Sequence, residues 1–336
     1  MLDSPPIPPP RSASSRGRPS RAAAVLPIAA ALCLMAAPRP AAAVAIEDGK
    51  MITIDVRDEK AQAYVVRPIL PGFYPGIVVI HEWWGLNDQI KGVADRFAEQ
   101  GYVAIAPDLY RGKLGTDAGL AHELMRGLNE NYAVDVIEAA AMALRAEDAR
   151  LTRRARGDKM PIATIGFCMG GRVSLATALQ QKDIQAAVMF YGSVETAAKA
   201  LQPLKVPLLG IFGKEDRGIP PDQVQAFESA LKASGKDAVI IDYPEVGHAF
   251  FNETRPSYGA EAARDAWGRT IAFLKEKLPP QLGSAADAPK PAPKAPTAPD
   301  SASPNPTHPA AKPAKPKTPP PATAPPPPPA HPDEPN

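Results

Sequence analysis

The residues best suited to covalent chemistry stand in Gly166-Phe167-Cys168-Met169-Gly170-Gly171. This is the spacing of a G-x-S-x-G nucleophile elbow with cysteine where serine would stand, a motif that needs a strand before it and a helix after it. Both are expected here: Ile162–Ile165 is a short apolar run, and a helix opens near Arg172. The spacing has three physical reasons. A tight turn pushes the nucleophile above the sheet. Glycines on either side let strand and helix backbones approach with no Cβ in the way. The next backbone N–H, that of Met169, then points where a tetrahedral oxyanion forms. The helix N-terminus also favours an anion, which helps lower a thiol pKa from about 8.5. The plainer reading is a buried, inert cysteine beside a glycine-rich crossover, since free cysteine is among the most buried residue types.

An elbow of this kind takes its acid and its histidine later in the chain, in that order. Of five histidines, His308 and His331 lie in a proline-rich tail, and His81 and His122 precede Cys168. That leaves His248, in Glu245-Val246-Gly247-His248-Ala249-Phe250, just past the apolar run Ala238–Ile241. Asp216, in Gly213-Lys214-Glu215-Asp216-Arg217, follows directly on Pro207–Phe212 and could orient the imidazole. Glu215 is the neighbour that could take that role instead, while Asp183 and Asp222 read as cap or turn residues.

His81-Glu82-Trp83-Trp84-Gly85 ends the apolar run Gly76–Ile80. It is no zinc-protease motif, because no second histidine stands at the helical spacing. The loop after this strand is where the second oxyanion donor is expected, and the N–H of Trp83 is the candidate. Glu82 is an acid aimed at the same crevice, or else one that points into solvent beside core tryptophans.

The elements that must position these residues are legible as alternation. Met51–Val56 and Tyr64–Pro68 read as a hairpin or an antiparallel edge. Gly76–Ile80, Tyr102–Ala106, Ile162–Ile165, Ala186–Phe190, Pro207–Phe212 and Ala238–Ile241 are strand candidates, the first two reading as buried on both faces. Between or after them, helical periods run over Asn87–Gln100, Ala118–Leu128, Val134–Ala146, Val173–Gln181, Gln223–Ala233 and Ala260–Leu278. Such alternation predicts an α/β class: a mostly parallel sheet with helices on both faces, its ligands beyond the carboxyl ends of the strands.

Composition bounds the rest. The 336 residues carry a formal charge of only +2, with no basic stripe of the kind a nucleic-acid surface shows. Residues 1–45 read as a cleaved export signal. Arg11, Arg16, Arg18 and Arg21 lead into the apolar run Ala22–Ala37, and small residues follow at Ala41, Ala42, Ala43 and Ala45. The run is shorter than the ~20 residues a spanning helix needs, so no membrane span is expected in the mature chain, which would be periplasmic or extracellular. Removing it takes away Cys33 and leaves Cys168 as the sole cysteine. A lone cysteine in an exported protein has no disulfide partner, so it is either buried or a free thiol with a function. Residues 281–336 form a tail of Pro, Ala and Lys that buries too little apolar surface to offset about 1–2 kcal/mol of backbone entropy per residue. The domain is therefore expected over 46–280.

At these residues the chain resembles the dienelactone hydrolase (carboxymethylenebutenolidase) family of the α/β-hydrolases, over roughly Ile54 to Leu278. The resemblance rests on Val78-Val79-Ile80-His81-Glu82-Trp83-Trp84-Gly85-Leu86-Asn87, Pro107-Asp108-Leu109-Tyr110, Gly166-Phe167-Cys168-Met169-Gly170-Gly171 and Gly247-His248-Ala249-Phe250. It implies an α/β-hydrolase three-layer sandwich with Cys168, Asp216 and His248 as catalytic residues. It also implies that Glu82 holds the resting thiol and swings away when substrate binds. The family's type enzymes grip a substrate carboxylate with two arginines. Here Arg111 is close to the first position, while the second falls near Asn252, with Arg255 displaced from it.

The chemistry expected is acyl transfer on a small activated ester or lactone, with oxyanion donors at Trp83 and Met169, and no metal or cofactor is implied. The alternative is a non-catalytic binding or envelope-associated protein that keeps this fold and works through its proline-rich tail.

Overall fold

A computed structural model describes residues 43–281 apart from Pro71, residues 152–158 and Gln181. The chain divides into Met1–Pro289 and Lys290–Asn336, and the second unit lies outside the described residues. So do nearly all of the export-signal reading and all of the tail beyond Gln281. Gln281 itself is still held by the domain, exchanging backbone hydrogen bonds with Phe73 at 2.9 and 3.0 Å.

Apolar runs without alternation become strands buried on both faces. β3 (Gly76–Ile80), β4 (Val103–Pro107), β5 (Ile162–Phe167), β6 (Ala186–Phe190) and β7 (Leu208–Gly213) are buried at every residue. With β1 (Lys50–Val56), β2 (Glu59–Val66) and β8 (Ala238–Tyr243) they form one eight-stranded sheet, ordered β1-β2-β4-β3-β5-β6-β7-β8. β1 and β2 form an antiparallel hairpin, and β2 pairs antiparallel with β4; the strands from β4 to β8 run parallel.

Two apolar layers sandwich the sheet. Val78 and Ile80 of β3 pack with residues of α3 (Glu130–Leu151), α4 (Met169–Leu179) and α6 (Pro221–Ala233). Ile77 and Val79, the alternate residues, pack with α1 (Asp88–Glu99) and α7 (Ala260–Lys277). This is the three-layer α/β arrangement. On α1 the buried stripe is Ile90, Val93, Ala94, Phe97 and Ala98, and Asn87 caps the helix by accepting from the N–H of Ile90 at 3.1 Å. Each large apolar residue of that stripe contributes on the order of 1.5–3 kcal/mol on burial.

Some boundaries differ from the sequence reading. Asn129, read as part of a turn, accepts from the N–H of Tyr132 at 3.1 Å and starts α3 four residues before Val134. β2 begins at Glu59 rather than Tyr64, because pairing with β1 overrides the poor strand propensity of Glu-Lys-Ala-Gln. α2 (Ala118–Gly127) buries Ala121 alone, and a four-residue helix, α5 (Ala198–Leu201), was not expected. Among the described residues, no helix is long and apolar enough to cross a membrane.

Candidate active site

Cys168 sits between the last residue of β5 and the first of α4, which starts at Met169 rather than near Arg172. Its backbone, at φ 54° and ψ −118°, is the strained turn an elbow demands of a residue that bears a side chain. Packing enforces the turn. A Cβ on Gly166 would overlap the carbonyl of Gly170, one on Gly170 would lie 2.6 Å from the carbonyl oxygen of His81, and one on Gly171 would lie 2.8 Å from that of Phe190. The thiol is free and only half-buried, not sunk in the core.

Asp216 lies in the turn after β7. One carboxylate oxygen accepts the N–H groups of Gly218 and Ile219 at 2.8 and 3.1 Å, and the other stands 2.7 Å from Nδ1 of His248. His248 lies in the loop after β8, which is pinned against β7 so closely that a Cβ on Gly213 would strike the Val246 carbonyl. With Nδ1 facing Asp216, Nε2 remains to meet the sulfur. Burial alone lowers the His248 pKa, but hydrogen bonds with Asp216 and then Cys168, and the charge on each, push it up to about 10. For Asp216, burial works upward, yet the bond and charge of His248 and the two backbone donors hold the carboxyl below its usual range.

Glu82 is placed beside this group but is not bonded to the thiol. It is 2% exposed, and it accepts from the Tyr191 hydroxyl at 3.1 Å and the Asn252 amide at 2.6 Å. Burial raises its pKa, opposed by Asn252, Tyr191, His248 and Arg255 in that order. Tyr191 itself, directly after β6, is buried at φ 36° with its ring 5.1 Å from that of His248. Neither Tyr191 nor the role of Asn252 was read from the sequence. The signal for Tyr191 was its position at a strand's carboxyl end, the same cue that marks Glu82 and Asp216.

His81 has a different task. The N–H of Leu109 must donate to Nε2 at 3.2 Å, so Nδ1 carries the ring hydrogen and donates to the Glu82 carbonyl at 2.6 Å. Buried completely, the ring is held neutral by desolvation and ties the end of β3 to the end of β4. This fixes the backbone that carries Glu82 and Trp83. Among the described residues no backbone carbonyl outside regular structure accepts from the N–H of Trp83 or Met169.

The rim is aromatic. Trp83 packs edge-on against Trp84 and faces His122 of α2, and Tyr110 donates its hydroxyl to the Met169 sulfur at 3.2 Å. Of the two candidate arginines, only Arg111 is engaged away from the site. Arg111 donates twice to Glu59, at 2.7 and 3.0 Å, and lies 4.1 Å over the Tyr132 ring. Arg255 stacks 3.6 Å above Trp84.

The family model for dienelactone hydrolases matches residues 61–278. The chain belongs to the dienelactone hydrolase family. It is a carboxylic ester hydrolase of that type. A Yersinia pestis protein provisionally named carboxymethylenebutenolidase is 34% identical over 240 residues, 67% of this chain and 86% of its own. The protein usf of Aquifex pyrophilus is 36% identical over 237 residues, 68% of this chain and 99% of its own. A crystal structure provisionally assigned as a dienelactone hydrolase, from Klebsiella pneumoniae subsp. pneumoniae MGH 78578, aligns with a TM-score of 0.60 at 30% identity. It covers 69% of this chain and 99% of that one.

Proposed function

We propose that this dienelactone hydrolase cleaves small activated esters or lactones in two steps through Cys168, His248 and Asp216. The supporting observation is that Asp216 holds Nδ1 of His248 at 2.7 Å, with Cys168 near enough to help raise the pKa of the same ring. In the first step His248 takes the thiol proton, the sulfur attacks the carbonyl carbon, and the oxyanion is met by the N–H groups of Met169 and Trp83. The imidazolium gives its proton to the leaving oxygen, and a thioester remains. In the second, His248 takes a proton from water, hydroxide adds to the thioester, and the acid departs as sulfur is released. Thiolate is a good leaving group as well as a good nucleophile, so enol esters and lactones suit this site better than amides.

Glu82 belongs to the same site as a modulator of the thiol. Of the two arginines, Arg255 is the candidate for substrate contact because its charge already bears on Glu82, whereas Arg111 is held by Glu59. Residues 1–45 fit a cleaved export signal, which N-terminal sequencing of protein recovered outside the cytoplasm would test. For the chemistry, hydrolysis of a p-nitrophenyl ester is measured for wild type, Cys168→Ala and His248→Ala. Each substitution abolishes most of the rate; rates equal to wild type would overturn the assignment.

A further inference from the structure

A cavity of ≈ 360 Å³ lies against α7, and none of Cys168, Asp216, His248 or Glu82 lines it. Its volume falls in the range of about 300–1,000 Å³ that small-molecule sites occupy. α7 contributes Arg264 and Trp267, α1 contributes Arg96, and the loop after His248 contributes Phe251, Glu253 and Tyr258. Phe251 joins this wall to the catalytic group, since its ring also stacks on Phe167, the residue before Cys168, at 5.2 Å. Arg96 is the side chain that the packing leaves unsatisfied. Its guanidinium carbon lies 4.0 Å from the centre of the Trp267 ring and 5.3 Å from that of Phe251. Those contacts use the flat faces of the guanidinium, whereas its five N–H donors lie in the plane. Among the described residues no side chain or carbonyl bonds those donors, and no carboxylate stands within ion-pair distance. Burial presses the Arg96 pKa down, against the more distant influence of Glu253, Tyr258 and Glu99. Glu253, the acid on the wall, is engaged by the Gln89 amide at 3.2 Å. Arg264, which is exposed, brings a second positive charge to the same wall.

We propose that this cavity is a second binding site, separate from the catalytic group, for a small planar aromatic carboxylate whose ring lies on the aromatic wall and whose two oxygens meet the donor edge of Arg96. The match is one of shape and of charge. A guanidinium edge presents two parallel N–H groups at the spacing of a carboxylate. Trp267, Phe251 and Tyr258 offer ring surface that a bare inorganic anion leaves unused. The partial burial of Arg96 lowers the local polarity and strengthens its attraction for an anion. Arg264 adds a weaker, solvent-screened pull in the same direction.

The chain has three tryptophans, and only Trp267 lines this cavity, while Trp83 and Trp84 stand at the catalytic rim. Their indole N–H resonances in the full-length protein, assigned by Trp267→Phe, therefore tell the two places apart. Three probes are titrated: benzoate, benzamide, which has the ring without the charge, and inorganic phosphate, which has the charge without the ring. Benzoate should move the Trp267 resonance saturably, and at about tenfold lower concentration than either of the others. Arg96→Met, which keeps an unbranched stem against Trp267, should weaken benzoate about tenfold and leave benzamide unchanged. Arg264→Gln, at an exposed position, should weaken benzoate about two- to threefold. If Arg96→Met does not fold, Arg264→Gln and the comparison of the three probes on wild type still decide. The proposal is overturned if benzoate up to about 10 mM leaves Trp267 unmoved or moves only Trp83 and Trp84. Benzamide or phosphate binding as tightly as benzoate would overturn it too, as would a folded Arg96→Met with wild-type affinity. Ester hydrolysis plays no part in this measurement, so its failure would leave the reading of Cys168 standing.

Discussion

The ring of His248 is oriented by Asp216 across 2.7 Å, and Asp216 is itself oriented by two backbone N–H groups from Gly218 and Ile219. The acid therefore has one conformation and the imidazole one tautomer. Asp216→Asn keeps the size but offers an NH2 group or a weaker acceptor to Nδ1. We expect kcat to fall by about 10²–10⁴-fold, with some loss of thermal stability because the charged partner of the imidazole is gone. A steady-state assay beside a melting curve checks this, and full activity in the variant would mean that Glu215 or another acid serves.

The imidazole should stay charged well above neutrality. Its folded pKa, about 10, exceeds the ordinary value of 6.5, so protonation favours the folded state. That contribution is complete below about pH 6.5 and is lost as pH rises through about 10. Cys168→Ala removes one of the two partners and should lower the upper end of this window. Titration of the His248 Cε1–H resonance by NMR reads it directly. Identical curves for wild type and Cys168→Ala would show that the sulfur is not a partner of the ring.

The elbow should be intolerant of one methyl group. Gly170→Ala places a Cβ against the carbonyl oxygens of Ile80 and His81, and neither backbone group can yield without moving β3. Loss of about 2–4 kcal/mol in urea unfolding is expected, with activity reduced further because Glu82 and Trp83 follow on the same strand. A variant of wild-type stability and activity would mean the turn is looser than these contacts imply.

Arg111 should matter little to turnover. Its guanidinium is occupied by Glu59 and Tyr132, a pairing on an exposed surface. Arg111→Ala should leave kcat/KM within about threefold for esters with and without a free carboxylate, since an exposed pair of this kind is worth about 0–1 kcal/mol. A selective loss on the carboxylate-bearing ester would show that Arg111 leaves Glu59 to grip substrate.

What the sequence revealed of this site follows from range. The elbow is legible because its steric demand is local: Gly166, Gly170 and Gly171 are needed within one turn of Cys168. His248 and Asp216 come from chain order and from their places after strands. The pair of donors to Glu82 is not legible, because Tyr191 and Asn252 are 109 and 170 residues away and no periodicity links them. His81 shows the opposite case, a histidine in a striking motif whose work is to join two strand ends. In the fold, strands buried on both faces announce themselves by unbroken apolar runs. The start of β2 does not, since its charged residues are held by pairing with β1 alone.

The proposed reaction passes through a covalent bond between substrate carbon and the Cys168 sulfur. Acid quenching during turnover of a p-nitrophenyl ester, followed by intact-mass and peptide analysis, reads that bond. One acyl group on the peptide containing Cys168, discharged by neutral hydroxylamine and missing from Cys168→Ala, is the result expected. Continued turnover by Cys168→Ala, or an acyl group found on a different residue, would contradict it.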